Sequence, residues 1–441
     1  MPFTFLKYLQ PTHYFRLNNK YGNSVFPQIA FLPEDIKSQL KKNENYNSEL
    51  AKEYDMSWQA LQSGYIGEAK TYDQFLELPL EDNYRFLRIY FHTAWVIYVL
   101  FFRILSFHNP FKEFRAWFIT RSVKRHRLNT PMLYQKWPTF SSKLLTEKPL
   151  VSIIIPTLNR YAYLKDVLLD LERQDYTNFE VIVVDQSEPF QPDFYKSFNL
   201  NFNVIRQEEK ALWLARNTAI EHAKGKFIAL SEDDVRIHSD WISLHLKCLD
   251  FFKAKVSAGV FHPEGQDIPK ERSFFALASQ FATGNAMLYK NVFHKVGLFD
   301  RQFEKQRMGD GEFGNRIHLE GIKSISNPFA SCIDVKAGTG GLREMGSWDA
   351  FRPTNLFAPR PIPSVIYYFR SYFGKSATRL ALLRMVPLSV FPYQFKKNKP
   401  LLLVGVLLTL VILPFVVYQV ITSWRLASQK IEQGALIKEL T

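Results

Sequence analysis

The sequence predicts an α/β domain built on a mostly parallel sheet, preceded by a helical region and followed by one apolar helix. Two observations carry that expectation. From about residue 150 short β-branched runs alternate with helix-period segments, and residues 401–424 contain no charged side chain. Strands alternating with helices imply parallel neighbours with helices on the faces of the sheet. A length of 441 residues leaves room for two or three such units.

Residues 1–80 are polar, Asn-rich in places and without a readable motif; a small helical unit is expected. Residues 1–20 lack the continuous apolar stretch of a cleavable signal. The run Ile89–Phe102 holds 14 residues between Arg88 and Arg103, short for a membrane span and suited to an interfacial or buried helix. Behind it Arg103, Lys112, Arg115, Arg121, Lys124, Arg125 and Arg127 face one acid, Glu113, and alternate with aromatic residues. A solvated basic linker and a contact with anionic lipid both fit this pattern. The same aromatic and basic mixture returns in 362–395, which favours a membrane-surface segment over about 86–127.

The next elements follow from pattern. VSIII at 151–155 is a buried strand, with a helix from Tyr161 to Gln174 after it. VIVV at 181–184 and the weaker VIRQ at 204–207 are further strands. A helix over Leu212–Ala223, closed by Gly225, leads into the strand KFIAL at 226–230. After an aromatic and basic stretch over 346–400, LLLVGVLLTLVILPFVVYQVITSW at 401–424 is long enough to cross a hydrocarbon core of about 30 Å, with a kink expected at Pro414. Lys396, Lys397 and Lys399 ahead of it place the preceding residues on the cytoplasmic side of an inner membrane, with 425–441 as a tail.

Charge distribution separates partners. The net charge is +14, but basic and acidic residues number 20 and 13 over 1–149, 24 and 26 over 150–345, and 12 and 3 over 346–441. The centre is slightly acidic, so the excess argues for location at a membrane rather than for nucleic acid. Two cysteines, Cys248 and Cys332, exclude a disulfide framework and a cysteine-rich zinc module.

In an open parallel sheet, ligands bind beyond the carboxyl ends of the strands. There the sequence sets Pro156-Thr157-Leu158-Asn159-Arg160, then Asp185-Gln186-Ser187, then Ser231-Glu232-Asp233-Asp234. Asp185 alone could cap a helix. Three adjacent acids repel one another unless a cation sits among them, and Mg²⁺ or Mn²⁺ shared with substrate phosphates is the usual reason.

VSIIIPTLNR at 151–160, VIVVDQS at 181–187, ALWLARNTAIEHAKGKFIALSEDDV at 211–235, TGNAMLYKNVFHKVGLFD at 283–300 and GDGEFGNRIHLEGIKSI at 309–325 together resemble a family 2 glycosyltransferase of the GT-A fold. The resemblance covers about 150–345 and implies an inverting enzyme that moves a sugar from a nucleoside-diphosphate sugar, a UDP-sugar first among the candidates, to a hydroxyl. It implies that Pro156, Thr157, Asn159, Arg160 and Asp185 hold the nucleotide, that Arg216 lies near the donor, and that Glu232-Asp233-Asp234 is the metal-binding acid motif, with Glu232 where Asp is common. Asp310 falls on the general base. Gly309 replaces the acid that usually precedes it, and an N-cap role for Asp310 is the plain alternative. Glu312 falls beside the acceptor, Asp334 on a position where relatives carry a metal-binding His, and Arg343, after glycines 338, 340 and 341, near the diphosphate.

The Gln-x-x-Arg-Trp motif of processive synthases is absent, so transfer of one sugar or a few is expected. The expected acceptor is membrane-embedded, a lipid-linked glycan of surface polysaccharide synthesis. A sugar-phosphate nucleotidyltransferase and a scaffold retaining an impaired transferase domain are the competing readings.

Overall fold

The computed structural model describes residues 1–126, 128, 130–278, 281–338, 340–341, 349–353, 355–392, 395 and 398–440. Two domains form, one from Met1–Leu133 with Phe373–Met385 and one from Tyr134–Tyr372 with Val386–Thr441.

The first domain is helical. Ser48 caps the helix Glu49–Gln62 by accepting the Ala51 N–H, while the buried Asp82 carboxylate takes the N–H groups of Asn47 and Ser48 just outside it. Helices Leu80–Tyr90, Thr93–Leu105 and Pro110–Ile119 follow. Their inner faces meet in an aromatic core that includes Phe3, Phe5, Phe26, Trp58, Tyr84 and Phe86. Two buried acids tie the helices together, each through hydrogen bonds that offset its desolvation. Asp55 accepts from Tyr46 and Tyr90, and Glu113 from Tyr84 and Arg103.

Among the described residues the second domain holds one nine-stranded sheet. Its strands are β1 (Val151–Thr157), β2 (Phe179–Asp185), β3 (Phe202–Arg206), β4 (Phe227–Ser231), β5 (Val235–Ile237), β6 (Val256–Pro263), β7 (Ala276–Leu277), β8 (Asn285–Tyr289) and β9 (Ser324–Asp334). The order is β3-β2-β1-β4-β8-β6-β9-β5, with β7 also on β9. All seven residues of β1 are buried, which is why it reads as an unbroken apolar run. Helices Tyr161–Glu172 and Leu212–His222 connect the parallel strands.

The sheet corrects one expectation: it is mixed, not mostly parallel. β3, β2, β1 and β4 are mutually parallel, but β4/β8, β6/β8, β5/β9 and β7/β9 are antiparallel. Parallel neighbours need a crossover, usually a helix. That alternation holds as far as β4, whereas the chain passes from β6 to β8 without an α-helix among the described residues.

Residues 134–149, expected with the N-terminal region, pack in the second domain. Trp137 meets Phe251 and Phe275 edge-on, and the Ser142 hydroxyl donates to Asp250 at 2.7 Å.

The C-terminal run also differs from its expectation. Among the described residues no single helix is long and apolar enough to cross a membrane. Helix Lys399–Val411 ends at Ile412, and helix Leu413–Gln433 restarts with Pro414 in its first turn, the two meeting at 89°. Proline lacks an N–H and clashes with the preceding turn, so it is accommodated in a new first turn rather than mid-helix. The second helix buries Val416, Gln419, Ser423 and Ala427. Gln419 accepts the Arg360 Nε–H at 2.9 Å, and Lys430 donates to the Gln302 carbonyl at 2.7 Å. The expected tail forms backbone bonds from Leu298 N to Lys438 O and from Arg301 N to Leu436 O. Leu407, Leu410 and Val411 remain mostly exposed.

Candidate active site

The parallel register places Thr157 of β1 directly beside Asp185 of β2, and β4 on the other side of β1 ends next to them. Residues 157–160, 185–187 and 231–234 therefore meet at the carboxyl edge of the sheet, where the sequence expected them.

Arg160 is the centre of this group. Its Nη1 lies 3.0 Å from Asp233 Oδ1 and 3.2 Å from Asp234 Oδ2. Thr157 Oγ1 donates to Asp233 Oδ2 at 2.8 Å, and the Gly340 carbonyl accepts from Arg160 Nη2 at 3.2 Å. The glycines of the 338–341 loop have a steric reason. A Cβ on Gly340 would lie 2.7 Å from Arg160 Cγ, one on Gly341 would lie 2.6 Å from its guanidinium carbon, and both glycines have positive φ. Asn159 takes φ 55 and fixes the turn by accepting the Glu188 N–H, while its own N–H donates to Ser187.

Asp185 is fully buried. One oxygen accepts the hydroxyls of Tyr161 and Tyr195, each at 2.7 Å, and the other accepts the Ser187 N–H at 2.9 Å. Burial raises both tyrosines, Tyr161 to about 12, so they remain donors at neutral pH. Pro156 is a buried sheet residue beside Val184. It stands one residue before the end of β1, next to Thr157.

Glu232 keeps 42% of its side chain exposed yet is ringed by protein and by other acids. Desolvation first, then repulsion from Asp234, Asp233 and Asp334, pushes its carboxyl up to about 7, against the pull of Arg216. Gly284 exists for this side chain, because a Cβ there would meet the Glu232 carboxyl carbon at 2.5 Å. Asp233, 4% exposed, is raised to about 6, mainly by desolvation, with Arg160 opposing. Arg216 is completely buried. It donates to the Thr283 carbonyl at 2.6 Å and comes within 3.7 Å of Glu232, while its Nε has no hydrogen-bond partner among the described residues.

Of the three expected metal ligands, Asp234 accepts the Ala337 N–H at 3.1 Å, and Asp334 lies opposite Val235 in the β5/β9 ladder. Among the described residues no three His, Cys, Asp or Glu side chains converge tightly enough to enclose a metal ion. The donor set of Asp234, Glu232 and Asp334 is all carboxylate. That chemistry fits Mg²⁺ or Mn²⁺ held by one or two protein oxygens, with phosphate oxygens and water completing the shell. Arg160 balances Asp233 and Asp234 meanwhile.

Asp310 stands in the first turn of helix Gly309–Leu319, exposed, accepting the Gly311 N–H at 2.8 Å. Its surroundings raise its pKa through desolvation, against the Gly311 bond and Arg307 and Arg216. Gly309, where relatives carry an acid, is explained by packing: any Cβ there would overlap the Trp213 ring. Glu312, expected beside the acceptor, turns into the protein. It is 2% exposed and locked by two bonds from Arg316, at 2.7 and 3.0 Å, and one from Tyr372. One helical turn carries 310 outward and 312 inward. Arg343 lies outside the described residues.

Sequence reasoning missed Tyr161, Tyr195, Trp213 and Gly284. Three of them left a trace: Tyr161 directly follows Arg160, Trp213 sits in the quoted ALWLARN stretch, and Gly284 sits in the quoted TGN stretch.

The edge of the sheet thus gathers carboxylates, two arginines and a glycine loop. The family model of glycosyl transferase family 2 matches residues 152–299, and this segment is a glycosyl transferase family 2 domain. EpsH of Bacillus subtilis strain 168, which carries a glycosyltransferase name, is 35% identical over 105 residues, covering 23% of this chain and 30% of EpsH. The glycosyltransferase GlyA of Streptococcus pneumoniae serotype 4 is 25% identical over 162 residues, covering 36% of this chain and 22% of GlyA. TarS of Staphylococcus aureus, a poly(ribitol-phosphate) β-N-acetylglucosaminyltransferase, is 29% identical over 96 residues, 20% of this chain and 17% of TarS. Its fragment 1–349, solved with UDP-GlcNAc, aligns at TM-score 0.43 and 16% identity over 64% of this chain and 92% of the fragment. The chain thus spans less than a third of the length of these three curated relatives.

Proposed function

We propose that this protein transfers a sugar from a nucleoside-diphosphate sugar to a hydroxyl of a membrane-associated glycan acceptor, with inversion and without processive elongation. The observation that carries the reading is the gathering of Thr157, Arg160, Asp233 and Asp234 at the carboxyl edge of the sheet. There Arg160 lies 3.0 Å from Asp233 and 3.2 Å from Asp234, and the buried Arg216 comes within 3.7 Å of Glu232.

In this reading Asp310 takes the proton of the acceptor hydroxyl as that oxygen forms its bond to the anomeric carbon. The bond from that carbon to the diphosphate breaks on the opposite face, and the nucleoside diphosphate leaves. Asp310 is exposed, so an acceptor hydroxyl can come within hydrogen-bond reach of it, which general-base transfer requires first. Asn159, Arg160 and the 338–341 glycines shape the loop against which the diphosphate lies, and Asp185 with its two tyrosines holds the nucleotide end. Mg²⁺ or Mn²⁺ on Asp234, with Glu232 and Asp334 beside it, would supply positive charge to the leaving diphosphate. Arg216 holds Glu232 in place from beneath.

A UDP-sugar is the first donor to try, and a lipid-linked glycan of surface polysaccharide synthesis the first acceptor, on the cytoplasmic face of the membrane. A polymeric acceptor is supported by the name of TarS, a poly(ribitol-phosphate) β-N-acetylglucosaminyltransferase. The membrane is supported by the exposed leucines of Lys399–Val411.

The test is turnover of nucleotide sugars by the detergent-purified full chain with Mn²⁺ or Mg²⁺. Release of nucleoside diphosphate is expected. Release of pyrophosphate, or no turnover across uridine, guanosine and thymidine donors with lipid-linked acceptors, would reject the reading.

A further inference from the structure

Helices Thr93–Leu105 and Pro110–Ile119 of the first domain form a hairpin with two unlike faces. The inner face is fixed. Val96, Val99, Leu100 and Ala116 are buried, Glu113 holds Arg103 and Tyr84 at 2.7 Å each, and Arg88 donates to the Trp117 carbonyl at 2.9 Å and to Thr120 at 3.1 Å.

The outer face is apolar and uncovered. At the tip, Phe107 is 98% exposed and Phe111 85%, and Leu105, Phe114 and Phe118 are each more than half exposed. Phe107 takes φ 59, a left-handed backbone that a bulky residue adopts at a cost, and it holds the ring away from the protein. Asn109 accepts the N–H groups of Phe111 and Lys112, and Pro110 starts the second helix, so the tip is a capped turn.

Charge selects what covers this face. The only acid in 91–126 is Glu113, and it is 2% exposed inside the domain. Every exposed formal charge on that stretch is therefore basic: Lys112, Arg115, Arg121, Lys124 and Arg125. Arg121 lies 3.7 Å from the centre of the Phe118 ring, so cation and aromatic are presented together. Rings at the depth of the acyl boundary with cations at headgroup level is how a helix lies on an anionic bilayer.

We propose that this hairpin docks on an anionic phospholipid surface, with Phe107 and Phe111 entering the boundary between headgroups and acyl chains. The proposal deepens the membrane part of the function above, and its readout is lipid contact, so it stands or falls separately from sugar transfer.

The test uses the full chain carrying Phe107→Cys labelled with an environment-sensitive fluorophore. The two native cysteines are free but buried, which directs the label to position 107. The probes are vesicles of phosphatidylglycerol with phosphatidylethanolamine and vesicles of phosphatidylcholine, both with brominated acyl chains. The expected result is a blue shift and bromine quenching on the anionic vesicles, weakened by salt, with Arg115→Gln and Arg121→Gln each shifting the lipid midpoint by about fivefold. A label that stays unquenched while the protein binds vesicles through another segment overturns the proposal. So does equal quenching on neutral and anionic vesicles. A blue shift that grows with protein concentration in the absence of lipid assigns the face to a second copy of the chain and overturns it as well.

Discussion

Asp310 and Asp233 are both aspartates at the site, and their surroundings give them opposite work. Asp310 is exposed and accepts the Gly311 N–H beside it, whereas Asp233 is held by Thr157 and Arg160. Replacing Asp310 by Asn is expected to cut turnover by about 10²–10⁴-fold, the usual contribution of a general base, with donor affinity by calorimetry unchanged; near-normal turnover would remove Asp310 from that role. Arg160→Met leaves two nearly buried carboxylates without their cation. Thermal and urea unfolding should show a loss of about 3–5 kcal/mol, and added Mn²⁺ with nucleoside diphosphate should recover more stability in this variant than in the parent. An equal metal response in both would mean Arg160 does not share the cation's place. Away from the site, His245 is buried between Ser257 and Asn285 and is lowered to about 4, chiefly by desolvation. Its folded value lies below the unfolded value of about 6.5, so the unfolded chain binds the extra proton in that window. Stability is complete above pH 6.5 and falls by roughly 3 kcal/mol as pH drops to 4. Urea midpoints measured against pH should show this slope flattened in His245→Gln. The acids at strand ends were legible in the sequence because a polar cluster after a buried run is conspicuous. The packing of Pro156 and Glu312 was not, since a motif names a residue without saying which way its side chain turns.

At the scale of elements, helices Leu212–His222 and Gly309–Leu319 are matched through Trp213 and Gly309. The indole donates to the Phe303 carbonyl at 3.1 Å, so the ring cannot rotate away without losing that bond. Gly309→Ala should therefore destabilise the protein by about 1–3 kcal/mol, as overpacked sites do, and Trp213→Ser in the same chain should restore part of the loss. Additive losses in the double variant would show that the two positions are uncoupled. This pairing explains why an acid is missing from the 309 position: its space is filled from a helix nearly a hundred residues earlier. Strand identity was readable from apolar runs, but strand direction was readable only as far as helices alternate with strands. The ladder of β6, β8 and β9 is fixed by pairing over long separations that local pattern does not encode.

Across the whole molecule, the C-terminal residues return to the second domain. Bonds from Lys438 and Leu436 to Leu298, Asp300 and Arg301 hold the end of the chain. Removing 435–441 should lower the melting temperature of the full chain by several degrees, read by calorimetry; an unchanged melting temperature would show that the tail adds nothing. For the same reason the apolar helix is better tested by substituting Leu407 and Leu410 than by truncation, which would also strip the helix that holds Arg360 and Gln302. The sequence by itself determined the strand-helix alternation, the family 2 domain, the acids at the strand ends, and the separation of basic flanks from an acidic centre. Those are local or compositional properties, written in neighbouring residues. The tertiary structure alone decided that the sheet is mixed, that Arg160 lies between Asp233 and Asp234, that Glu312 faces inward, and that the 401–424 run breaks at Ile412. Each of these depends on contacts between residues far apart in the chain or on the direction of a side chain, and the physics that selects them is close packing and charge compensation in three dimensions.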